Sequence, residues 1–76
     1  MPTVEEALKR HRDGVRIREL REQRGMTVTR LAELVGCSRP HMSNIELGHS
    51  PVAPGYRALI AAALGVTLTE LEAVAS

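Results

Sequence analysis

Apolar residues recur at helical spacing in several separate stretches of this chain, and the residues between them are ones that stop and start helices. Val15, Ile17 and Leu20 predict a first core helix ending near Gly25. Val28, Leu31, Ala32 and Val35 predict a second, closed at Gly36, and Met42 with Ile45 a third. After a Pro- and Gly-rich loop over residues 49–55, Tyr56, Leu59, Ile60, Ala63 and Leu64 carry a fourth helix to Gly65. Pro54 fits its first turn, where a missing N–H costs nothing. Thr67 and Glu70 form a capping box that opens a short fifth helix with Leu68, Leu71 and Val74. Ahead of all this, Thr3 and Glu6 cap one or two apolar turns (Val4, Ala7, Leu8). Asp13-Gly14 reads as a break, so residues 1–12 are expected to be a separate arm, helical where its cap acts, and residues 13–76 the domain.

The second and third helices meet at a tight turn. Gly36 can take the positive φ that ends one, and Ser38 can cap the next by accepting a bond from an unpaired N–H. This is the sequence form of a helix-turn-helix, spanning about residues 28–47. On a wheel advancing about 100° per residue, Met42 and Ile45 point one way. Pro40, Ser43, Asn44 and Leu47 point the other, with Arg39 on the border. A helix buried on one face that offers Arg, Ser and Asn near its N-terminus has what reading a DNA major groove requires. An ordinary solvated face is the competing account.

The spacing decides between them. Leu31-Ala32-Glu33, Gly36, Ser38, Met42, Ser43-Asn44-Ile45-Glu46 and Gly48 resemble the DNA-binding motif of the phage-repressor family, also called the Cro/CI or xenobiotic-response-element family. Ile17-Arg18-Glu19-Leu20-Arg21 with Gly25-Met26-Thr27, and Leu64-Gly65-Val66, extend the resemblance over about residues 15–72. It implies an all-α, compact five-helix bundle of the phage-repressor DNA-binding type. It also implies a sequence-specific, double-stranded-DNA-binding transcriptional regulator, in the first instance a repressor of phage, mobile-element or antitoxin kind. Such a protein would bind as a homodimer on an inverted repeat, with Leu68, Leu71 and Val74 either joining the two copies or packing on the chain's own core, and a toxin or antirepressor could be its protein partner. The alternative is a helix-turn-helix used only for protein docking.

Carried over residue by residue, the resemblance assigns base contacts to Arg39, Pro40, Ser43 and Asn44. Arg39 suits guanine, Asn44 adenine, and the Pro40 ring a thymine methyl. Backbone contacts fall to Thr27, which can cap the second helix, with the N–H groups of Val28 and Thr29, to His41, and, because Leu47 replaces a polar residue of many relatives, to His49, loop N–H groups or Arg57. Arg21 and Glu46 match the family's ion pair between the first helix and the recognition helix.

Composition adds limits. One Tyr and no Phe or Trp leave an aliphatic core, and 76 residues allow one small domain. The net charge of +1 does not announce a nucleic-acid binder, but seven basic residues between Lys9 and Arg24 face only three acidic ones, so Arg16 and Arg18 are expected to touch phosphates. His11, His41 and His49 lack metal-site spacing, and no nucleophile, P-loop or dinucleotide motif is present. Neither an enzyme nor a cofactor nor a metal is expected. Cys37 stands alone as a small turn residue. No stretch has the pattern of a membrane span or a signal segment, so a cytoplasmic, nucleoid-associated protein of bacterial or phage type is expected.

Overall fold

The computed structural model describes residues 1–72. It differs from the sequence reading first at Asp13-Gly14, where no break occurs. Helix α1 runs unbroken over Val4–Gln23, so the expected arm is its first half. Thr3 caps it, its hydroxyl accepting the Glu6 N–H at 3.1 Å. At 1.5 Å per residue a helix of this length measures about 30 Å, close to the molecule's longest dimension of 31 Å.

Gly14 is buried for a tertiary reason. A Cβ there would lie 2.5 Å from the Ile45 carbonyl oxygen and closer still to that of Glu46, so only glycine lets α1 cross so near the end of the third helix. The helix tolerates the glycine at a cost of about 1 kcal/mol in propensity, which packing on either side of it offsets.

The remaining helices are α2 (Val28–Val35), α3 (Arg39–Glu46), α4 (Pro54–Leu64) and α5 (Leu68–Glu72). The protein is an all-α bundle of five helices around one aliphatic core. Ile17 and Leu20 of α1, Leu31, Ala32 and Val35 of α2, Met42 and Ile45 of α3, Ile60, Ala61 and Leu64 of α4, and Leu71 of α5 are its buried members. Helix α2 packs against α3 and α4, while α1 packs on α3 along one side and on α5 along another. Leu71, which the sequence left open between a dimer surface and the core, is 2% exposed and belongs to this core. Val74 lies outside the described residues.

Two arginines tie the far end together. Arg57 of α4 meets Asp13 of α1 through a two-pronged pair at 2.8 and 3.4 Å, with Glu72 of α5 at 3.7 Å. Arg16 donates from Nε to the Glu70 carbonyl oxygen at 3.1 Å. Among the described residues no helix is long and apolar enough to cross a membrane.

Candidate nucleic-acid interface

The turn between α2 and α3 is built by backbone chemistry. Gly36 takes φ +87°, and its N–H and that of Cys37 both return to the Ala32 carbonyl, at 2.8 and 3.0 Å. An L side chain would be strained at that φ. Ser38 then caps α3 by accepting the His41 N–H at 3.2 Å, and Pro40 occupies the first turn, where its ring is preorganised and its absent N–H is not missed. Burial raises the pKa of the Cys37 thiol, which leaves it less reactive than a free cysteine.

Helix α3 is held from behind. Met42 and Ile45 are wholly buried, whereas Arg39, Pro40, Asn44 and Leu47 are exposed and Ser43 half-buried. Its C-terminal end is fixed by Arg21, which donates to Glu46 at 2.8 Å from Nε and 3.0 Å from a terminal nitrogen, and to the Met26 carbonyl at 2.8 Å. The two side chains are only 12% and 6% exposed. One guanidinium thereby joins α1, the α1–α2 turn and α3. Its pKa is raised, first by the Glu46 hydrogen bond, against an opposing desolvation. Arg21 therefore keeps its charge throughout the ordinary pH range, and its own contribution to the pair is lost as pH rises through its raised pKa.

The basic and N-terminal candidates divide into two groups. Thr27 caps α2, its hydroxyl accepting the Arg30 N–H at 3.0 Å, so the N–H groups of Val28 and Thr29 stand at an open helix N-terminus. Arg18 is exposed, leaning on Glu22 at 3.6 Å, and His49 is exposed while His41 is half-buried. Arg16 and Arg57 belong elsewhere. Arg57 pairs with Asp13 of α1, the chief cause of its raised pKa, and Arg16 donates from Nε to the Glu70 carbonyl of α5, so both side chains make contacts within the fold that their sequence positions do not announce. Loop N–H groups are also engaged, since Gly48 donates to Ile45 and both His49 and Ser50 donate to Asn44. An opening missed in the sequence lies at the start of α4, where Ala53 provides no side-chain cap and residues 53–55 are exposed. Alanine at an N-cap position was the available signal.

A family profile described as a helix-turn-helix domain matches residues 14–74. The chain belongs to the helix-turn-helix domain family. Solved structures of this kind agree closely with it. The restriction-modification controller protein C.AhdI from Aeromonas hydrophila superimposes with a TM-score of 0.81 at 31% identity, covering 84% of this chain and 97% of that one. A hypothetical transcription factor, NHTF, from Neisseria gives 0.84 at 27% identity, covering 99% and 84%. The propionyl-CoA carboxylase regulator of Cereibacter sphaeroides is 36% identical over 58 residues, which are 76% of this chain and 13% of that protein. The chain therefore spans a small part of that relative's length. Helix-turn-helix domains of this kind are regulatory rather than catalytic, and their fold has a general capacity for DNA.

Proposed function

We propose that this helix-turn-helix domain is a sequence-specific, double-stranded-DNA-binding transcriptional regulator that acts as a repressor by occluding a promoter. The observation that carries the reading is the two-sidedness of α3. Its apolar face is wholly buried, and its opposite face exposes Arg39 and Pro40 in the first turn and Asn44 one turn on. Arg39, Pro40, Ser43 and Asn44 read base edges, and Arg18, Thr27, Val28, Thr29, His41 and His49 hold phosphates. Similar structures described as a controller protein and as a hypothetical transcription factor support a regulatory role. Leu68 of α5 and Leu59 of α4, 47% and 48% exposed, support a second copy packing on that end, and hence an inverted-repeat site.

The test is selection of bound duplexes from random DNA, followed by titration of a selected and a random duplex across salt concentrations. Affinity for both should fall steeply with salt, and the selected site should be preferred. Absence of salt-dependent duplex binding would sink the reading and leave a protein-docking module, such as a toxin-binding antitoxin.

A further inference from the structure

Helix α3 leans on α1 and α2 and touches α4 sparingly. One side-chain contact crosses that gap at the end where bases are read. The rings of His41 and Tyr56 lie with centroids 5.5 Å apart, tilted by 50°, an attractive aromatic geometry. His41 occupies the first turn of α3, between Pro40 and the buried Met42, and Tyr56 the first turn of α4. Both side chains are half-buried, so each has one side against protein and another open. Tyr56 has no hydrogen bond from its hydroxyl within the described residues, so the ring, rather than the oxygen, makes the contact.

Resting on the DNA-binding reading above, we propose that Tyr56 is a positioning residue for DNA binding: its ring fixes the His41 imidazole so that one ring N–H donates to a phosphate oxygen beside the recognition helix. An imidazole with no ring packed against it would sample several rotamers, even on a capped first turn, and lose that freedom on binding. A tyrosine behind it removes the loss beforehand. The positive ends of α3 and α4, brought together by this contact, favour an anion at the same place. Tyr56 itself need not touch DNA. Its effect passes through His41, and because a phosphate carries no sequence information the effect is the same on every duplex.

The experiment is a double-mutant cycle on the full chain with Tyr56→Leu, His41→Ala and the two combined, together with Tyr56→Phe. Selected and random duplexes are titrated at one fixed salt concentration, at a temperature where thermal melts show each variant folded. Tyr56→Phe should bind like the wild type. Tyr56→Leu and His41→Ala should each weaken both duplexes by roughly three- to tenfold, and the double variant should bind no more weakly than His41→Ala alone. Additive losses, a Phe variant as weak as the Leu variant, or variants all at wild-type affinity would each overturn the proposal. Should Tyr56→Leu fail to fold, Tyr56→Met takes its place in the cycle. A wild-type chain that binds no duplex defeats the DNA-binding reading instead, which keeps the two failures apart.

Discussion

Among the described residues Glu46 is the one charged residue that is buried, at 8% exposure, and it survives there because Arg21 meets both its oxygens. Removing one partner of such a pair leaves the other charged and poorly solvated. Glu46→Ala is therefore expected to cost on the order of 3–5 kcal/mol, read as a lowered urea midpoint, and a curve that overlays the wild type would show the pair to be energetically idle. Exposed residues of the same helix should behave in the opposite way. Arg39→Ala and Asn44→Ala should move stability by less than about 0.5 kcal/mol. Each should lose roughly 1–3 kcal/mol on the selected site while leaving random DNA almost untouched. Met42→Ala should lower stability by about 2–5 kcal/mol and binding to all sequences together. Equal weakening on both duplexes by Arg39→Ala and Asn44→Ala would make them phosphate contacts and move base reading to Pro40, His41 or Ser43.

At the level of elements, Gly14 sets two effects against each other. Alanine in the middle of an exposed helix gains about 1 kcal/mol over glycine, but here its Cβ would press on two carbonyl oxygens of α3. Overpacking of that kind costs about 1–3 kcal/mol, and the obstructing atoms are backbone rather than a flexible side chain. Gly14→Ala should thus lower the melting temperature, whereas a rise would mean that α1 can move away from α3 freely. The same residue shows where the sequence stops being readable. The caps at Thr3, Thr27, Ser38 and Thr67 depend on neighbours three residues away, and each was legible because its hydroxyl meets the N–H that local spacing places there. Gly14 meets residues more than thirty positions on, and Arg57 meets Asp13 across 44, so local rules took the first for a break and the second for a free cation. Leu71 was ambiguous for a like reason: helical spacing marks an apolar face but does not say whether the chain's own core or a second copy covers it. The outward face of α3 was legible because burial of Met42 and Ile45 leaves its other side no alternative.

For the whole molecule, the proposed second copy concerns α4 and α5, since Leu59 and Leu68 remain exposed on elements that otherwise contribute Ile60, Ala61, Leu64 and Leu71 to the core. Leu68→Lys should leave the melting curve of the dilute chain nearly unchanged, because an exposed position is altered. In sedimentation it should shift the protein toward monomer and weaken binding to an inverted repeat more than to a single half-site. Equal sedimentation of the variant and the wild type would place the contact between copies elsewhere. The ring contact across α3 and α4 has a practical consequence of a different kind. Tyr56 is the only tyrosine in a chain without tryptophan or phenylalanine, so all of the protein's intrinsic near-ultraviolet emission originates at a ring packed against the first turn of the recognition helix. The molecule is in effect labelled at one site, and any event that shifts α3 relative to α4 registers in a spectrum free of contributions from the rest of the fold.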